Sequence, residues 1–347
     1  LKVLYFSKTD SLGPGSRYRI FQFRRFFEEK EIDLTIVPAF SDSYIEAEFL
    51  MGYKRHLIRG VETVKAFFKR VIDFRMVFEA DVVAIEREFF PRFPPLFEFL
   101  IKALKGGYVL EFDDAIFLSP GRARKYPSTL RMASKVITGN DYLRKYALAF
   151  NRNVSVIPTC VDTGEYSPRE EQGKPGLPAI GWVGLPYNFG HLELVRAPLE
   201  RIGGEKKGEL HVLSGRDPHL GFPATFKKWS REGEAESIRG FDVGVMPLWD
   251  TPFARGKCGL KLIQYMAAGL PVVASPVGVN CEIVEEGVNG FLASGDDEWY
   301  EKLCILLEDR ELRKKMGQKG RRKVEEKYSL DVWGDRLVNL YRKEGEK

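Results

Sequence analysis

The chain has 347 residues, 44% hydrophobic and 30% charged. This composition excludes a disordered or collagen-like chain, and at roughly 150 residues per domain it points to two domains. Lys plus Arg is 54 against 49 for Asp plus Glu, a net charge of +5, too small a surplus to make nucleic acid the expected partner. The surplus is also local: residues 54–78 carry seven Lys or Arg against Glu62 and Asp73, and residues 308–328 carry nine basic against five acidic.

In chain order, residues 2–6 read as a first strand. No small-residue cleavage site follows them, and no apolar run reaches the length of a membrane span, so a cytoplasmic protein is expected. The four cysteines and four histidines are scattered without Cys-x-x-Cys spacing, which predicts reduced thiols and no metal site. Strands are expected at 34–38, 82–85, 108–112, 136–138 and 154–157, separated by segments of helical periodicity. Gly13-Pro14-Gly15-Ser16-Arg17-Tyr18 starts like a dinucleotide fingerprint, but Tyr18 replaces the third glycine and the run stands well beyond the strand end. It is either a plain connection or a flexible loop laid against a bound donor, with Gly15 against the ligand and Arg17 and Arg19 offering charge on the acceptor side.

Residues 54–78 combine their basic residues with Leu57, Val61, Val64, Phe68, Val71, Phe74 and Phe78 at helical spacing. The apolar stripe either packs into the core below a solvated basic face, or lies on anionic lipid at the inner membrane surface. Glu86 and Arg87 end one strand; Glu111-Phe112-Asp113-Asp114 closes the next, with Asp113 and Asp114 either capping a helix or facing a ligand. Asn140 is a helix N-cap candidate, and the Pro- and Gly-rich stretch 166–178 reads as a linker. A second α/β series follows, with strands at 180–183, 210–213, 243–247, 271–275 and 290–293, then three helices at 296–308, 310–327 and 330–343 with Ser329 capping the last. Two doubly wound domains place a ligand cleft at the carboxyl ends of their strands.

The most informative stretch is 253–280. A helix is expected from about Gly259 to Gly269, with Leu260, Ile263, Ala267 and Leu270 turned inward and Lys257, Lys261 and Gln264 on another stripe. Arg255, Lys257 and Lys261 crowd its N-terminus, where the macrodipole is already positive, an arrangement that favours a bound anion. Backbone N–H groups over Gly256–Gly259 would add donors for phosphate oxygens.

Gln264-Tyr265-Met266-Ala267-Ala268-Gly269-Leu270-Pro271-Val272-Val273, continued by Ala274-Ser275-Pro276-Val277-Gly278 and by Glu282-Ile283-Val284-Glu285-Glu286-Gly287, resembles the signature of the group 1 retaining glycosyltransferases. Residues 133–143, 156–162 and 328–341 resemble that family more weakly. The resemblance implies the GT-B fold: an acceptor-side domain (1–163), a nucleotide-sugar donor domain (164–328) and a C-terminal helix (329–347) returning to the first. It implies transfer of a sugar, with retention and without a metal, from a nucleotide-diphosphate sugar to a glycan, lipid-linked or small-molecule acceptor. No other cofactor is implied. Alternatives are an epimerase or hydrolase of the same fold, or a catalytically silent sugar-nucleotide-binding protein. Lys257 and Lys261 would stabilise the departing diphosphate. Asp113, standing where relatives carry a histidine, joins them as a catalytic candidate. Arg255, Gly256, Cys258, Gly259, Leu260, Gln264, Gly184, Gly15 and Glu282 would bind the donor, and Arg17, Arg19, Asp114 and Glu86 would face the acceptor. The sequence departs from the family pattern where the two motif glutamates align with Gly256 and Gln264, and where Leu185 and Phe189 occupy the loop of the usual Arg and Lys pair.

Overall fold

In a computed structural model of the chain, which describes residues 1–91, 93–168 and 176–346, twelve strands form two six-stranded parallel sheets. The first contains β1 (Lys2–Thr9), β2 (Asp33–Phe40), β3 (Val82–Glu86), β4 (Val109–Phe112), β5 (Lys135–Thr138) and β6 (Val154–Val156), in the order β2-β1-β3-β4-β5-β6. The second contains β7 (Ala179–Val183), β8 (Glu209–Ser214), β9 (Ala224–Lys228), β10 (Val243–Met246), β11 (Val272–Ala274) and β12 (Gly290–Leu292), in the order β12-β11-β10-β7-β8-β9. Within the expected linker, positions 169–175 lie outside the described residues.

Both sheets are covered on both faces, and the side-chain period of two divides each core accordingly. Leu4, Phe6, Val83, Ile85, Leu110 and Phe112 enter one cluster of the first domain, while Val3, Tyr5, Val82, Ala84 and Val109 enter the other. In the second domain Ile180, Trp182, Val243 and Val245 oppose Val183, Met246, Val272 and Ala274 in the same way. The strand omitted from the sequence reading is β9, an edge strand whose residues ATFKK are mostly exposed, so burial wrote no apolar pattern into it. The final helix, Leu330–Gly345, packs on the first sheet through Leu337, Val338 and Tyr341, the last edge-on to Phe27 at 5.4 Å. Ser329 stands at its N-cap position but makes no capping bond; its hydroxyl donates to the Glu325 carbonyl at 2.8 Å.

The core-packing reading of the 54–78 stripe is overturned. The helix Gly52–Asp73 buries its polar side: Glu62, Ala66 and Arg70 face β2, and Arg70 donates to the Val37 and Ser7 carbonyls. Leu57, Val64 and Phe68 are instead 62%, 58% and 61% exposed. Phe74 alone of the stripe turns inward, against Phe89 and Phe97.

Candidate functional site

In each sheet the strand order reverses next to the first strand of its domain, between β1 and β3 and between β7 and β10. Open α/β sheets bind ligands at such switch points, outside the carboxyl ends of the strands. Here the two switch points face each other across a cavity of about 510 Å³. The first domain contributes Lys8 near the end of β1 with Gly13–Gly15, Arg17 and Tyr18 beyond it, Glu86 at the end of β3 with Arg87 after it, and Asp113 and Asp114 after β4. The second contributes Gly184, Leu185, Tyr187 and Asn188 after β7, Leu248 after β10, and Lys257–Lys261 with Gln264.

The helix Leu260–Ala267 starts at the cavity wall, with Gly259 as N-cap in the left-handed region at φ 70°. The N–H groups of Gly256 and Lys257 are taken by the Phe253 and Ala254 carbonyls. The donors left for an anion are therefore those of Cys258, Gly259 and the first turn beyond, which have no acceptor among the described residues. Gly259→Ala would place a Cβ against Ile283 Cδ1 in a strained backbone region. It is expected to destabilise the protein by about 1–3 kcal/mol, and to weaken anion binding, as checked by urea unfolding and nucleotide titration.

Lys257 and Lys261 both reach the cavity, and neither has a carboxylate partner among the described residues. Lys261 Nζ lies 4.4 Å from the centroid of the buried Trp182 ring, and Lys257 Nζ lies 5.6 Å from that of Phe253. Burial, followed by the like charge of Lys257, pushes the Lys261 ammonium down to about 7. The same two lysines, after burial, hold His191 down to about 4, so its ring is neutral at ordinary pH. Two adjacent cations beside a helix N-terminus, one of them desolvated, form an unbalanced positive site.

The opposite wall is ion-paired. Arg87 adopts φ 65°, unusual for a non-glycine residue, and donates to Asp113 at 2.8 Å and Asp114 at 2.7 Å. The two aspartates thus anchor an arginine and cap no helix; the turn Ile116–Leu118 begins from Ala115. Burial alone would raise the Asp113 pKa, but Arg87 and Arg19 outweigh it and hold the carboxyl below the usual range. It is therefore an ionised acceptor. Glu86 Oε2 accepts from Ser16 Oγ at 2.6 Å and the Lys8 amide at 2.8 Å. Burial, then Arg87, pushes the Lys8 ammonium down to about 8.

Most of the expected residues converge on this cavity: Lys257, Lys261, Asp113, Cys258, Gly259, Leu260, Gln264, Gly184, Gly15, Arg17, Asp114 and Glu86 all line it. Four do not. Arg255 is exposed and turns back to Asp250 through bonds of 2.6 and 2.8 Å, because Thr251 caps the short turn Pro252–Arg255. Gly256 packs into the seam between domains, where a Cβ would come within 2.7 Å of Ala115 Cβ and its carbonyl accepts from Asn140 at 3.0 Å. Arg19 is fully buried below the sheet edge, paired with Glu111 at 2.6 Å. Glu282 lies on the exposed face of the turn Asn280–Ile283, away from the cavity.

Gln264 is buried, and its amide donates to Tyr18 Oη at 3.0 Å and Tyr166 Oη at 2.8 Å. The same hydroxyls meet Glu234, which pairs with Arg17 at 2.9 Å and accepts from Trp229 at 2.9 Å. This buried network joins the two domains below the cavity. Cys258 adds a second tie, its thiol donating to the Asp113 carbonyl at 3.0 Å. Sequence reasoning did not single out Glu234, Trp229, Lys8, Tyr187 or the pair Arg55 and Arg59, all of which line the cavity. For the arginines a signal existed: Arg55, Arg59, Glu62, Ala66 and Arg70 recur at helical spacing as one face. Among the described residues no group of three or more His, Cys, Asp or Glu stands close enough to hold a metal.

Residues 193–309 match the family described as glycosyl transferases group 1. Among curated proteins the chain is 27% identical over 241 residues to sulfoquinovosyl transferase SQD2 of Arabidopsis thaliana, covering 59% of this chain and 45% of that protein. It is 28% identical over 239 residues to the MMP alpha-(1->4)-mannosyltransferase of Mycolicibacterium hassiacum, covering 64% and 55%. The chain thus spans about half the length of these relatives. Sucrose-phosphate synthase from Thermosynechococcus elongatus superposes with a TM-score of 0.72 at 15% identity, covering 99% of this chain and 98% of that one. Anabaena HepE in complex with UDP superposes with a TM-score of 0.66 at 14% identity, covering 99% and 100%. The fold is GT-B: two Rossmann-like α/β domains with parallel sheets and a cleft between them.

Proposed function

We propose that the protein transfers a sugar, with retention at the anomeric carbon, from a nucleotide-diphosphate sugar to a glycan, lipid-linked or small-molecule acceptor. The observation that carries this reading is the pair Lys257 and Lys261, unmatched by carboxylates, beside the first turn of the Leu260–Ala267 helix in the interdomain cavity. It suits a diphosphate whose negative charge grows as the sugar leaves, and preorganised cations and N–H dipoles are the main resource for such a step. The family match over 193–309, which includes both lysines, supports it. Gln264 presents its amide oxygen as an acceptor for a ribose hydroxyl, its N–H groups being held by Tyr18 and Tyr166. Asp113 and Asp114, fixed by Arg87, would receive hydroxyls of the transferred sugar or acceptor. The reaction then relies on positioning, on charge stabilisation of the leaving group and on exclusion of water by the closed domains.

A thermal-shift screen against UDP, GDP, ADP, CMP and their sugars tests the donor site. A matched nucleotide at a hundred times its Kd adds about 2.7 kcal/mol of stability. If none of them raises the unfolding temperature, the donor reading is wrong. A second reading, a sugar-nucleotide-binding protein without turnover, is favoured by Gln264 standing bonded between two tyrosines at the position that aligns with a motif glutamate. Acceptor trials with the stabilising donor, followed by anomeric analysis of any product, separate the two.

A further inference from the structure

The Gly52–Asp73 helix is inverted relative to an ordinary surface helix, which buries its apolar side and wets its polar side. Its outward arc carries Tyr53, Leu57, Val61, Val64, Phe68 and Val71, between 43% and 74% exposed. At 1.5 Å per residue this face runs for about 27 Å. It does not end with the helix. Phe67 meets Phe93 at 6.1 Å, and Phe74 meets Phe97 at 5.3 Å, so the neighbouring helix Leu96–Lys105 continues the surface with Phe99 and Leu104 at 58% and 47% exposure. An apolar patch of this extent on an exposed face marks an interaction site.

Charge identifies the partner. The acids within 54–78 are neutralised: Glu62 is buried on Ser41 and Lys65, and Asp73 pairs with Lys69 at 2.8 Å. Those pairs also occupy Lys65 and Lys69, so the cations without a carboxylate partner among the described residues are Lys54 beside the start of the arc, Arg75 after the last turn and Lys102 on the adjoining helix. A second copy of the chain docked on the same face would oppose these cations with cations. An anionic bilayer satisfies both features, taking the apolar side chains below the headgroups and Lys54, Arg75 and Lys102 among the lipid phosphates. Among the described residues no helix is long and apolar enough to cross a membrane, so the helix would lie on the surface.

We propose that this face, formed by the Gly52–Asp73 and Leu96–Lys105 helices, docks the protein flat on an anionic lipid surface. The inner side of the same helix carries Arg55 and Arg59 into the interdomain cavity, where both pair with Glu48. Docking therefore sets the cavity mouth beside the bilayer, within reach of an acceptor that stays in the membrane. The proposal does not depend on the donor reading, because it rests on a different surface.

The test is co-sedimentation of the full chain with vesicles of phosphatidylcholine containing phosphatidylglycerol. Binding is expected at about 0.05 M salt, with at least a tenfold loss of affinity at about 0.5 M. Pure phosphatidylcholine vesicles should bind at least tenfold more weakly. The double variant Val64→Asp, Phe68→Asp should abolish binding while leaving the unfolding temperature unchanged, since both side chains are already in solvent. Absence of binding at low salt overturns the proposal, as does undiminished binding by the double variant. Sedimentation velocity adds the remaining outcome: a dimer that the double variant dissociates would assign this face to self-association and overturn lipid docking.

Discussion

Replacing Lys261 by methionine is expected to lower kcat for sugar transfer by about 10²–10³-fold, the usual effect of removing one preorganised donor from a site of developing negative charge. Methionine keeps the length of the side chain over the Trp182 ring but removes the ammonium. The unliganded variant should be at least as stable as the parent, because the charge it loses is desolvated and faces Lys257 without a counterion. What it loses is stabilisation by nucleotide. Loss of activity with unchanged unfolding in buffer, and with little nucleotide-induced shift, is the signature to look for. Unimpaired turnover would remove Lys261 from the mechanism. The pH dependence has a definite sign. The ammonium titrates at about 7 in the free protein, so the cationic form that attracts a diphosphate predominates below that pH. Affinity for the nucleoside diphosphate should fall as pH rises from about 6 to about 8.5. Lys261→Arg, which stays charged throughout, should flatten that profile.

Glu234→Ala is expected to be the most destabilising of these substitutions, by about 3–5 kcal/mol in urea or thermal unfolding. Glu234 is 5% exposed and Arg17 4%, and the two lie on different domains. Two nitrogens of Arg17, Nε and Nη1, already lack a hydrogen-bond partner, and Tyr18, Tyr166 and Trp229 all point hydrogen-bonding groups at the same carboxylate. Removing it leaves a buried guanidinium uncompensated between the sheets. Glu234→Gln retains an acceptor and should lose less. Because the network ties the domains together below the cavity, both variants should also raise KM for the donor. A Glu234→Ala protein as stable as the parent would show that the pair is solvated and carries no interdomain load.

The two sheets were legible because burial on both faces writes short β-rich runs between helical segments, and because Gly259 and Gly269 mark the ends of one helix. That Lys257 and Lys261 would stand together at a helix N-terminus was legible for a similar local reason, because they flank the Gly259 start of that helix. Asn140 shows the limit. Its capping role could be read from the sequence, and its oxygen does accept from the Leu143 amide, but nothing local indicated that its Nδ2 donates across the domain seam to Gly256 and Lys257. Arg255 is a different case: its partner Asp250 stands only five residues before it, and the Thr251 cap ahead of Pro252 that turns the chain back was a local signal left unread.

The sequence by itself determined the fold class, the alternation of strands and helices, and the cationic stretch 257–261, because these depend on periodicity, caps and neighbours within a few residues. Only the tertiary structure decided which arginines are structural and that Asp113 and Asp114 serve Arg87. It alone joined Glu234 to Arg17 across 217 positions, and it alone turned the apolar side of the Gly52–Asp73 helix outward. An amphipathic period gives a helix two faces and leaves open which one meets the core. That choice was made by Arg70, whose guanidinium finds carbonyls on β1 and β2 and lies 4.8 Å from the centroid of the Phe6 ring.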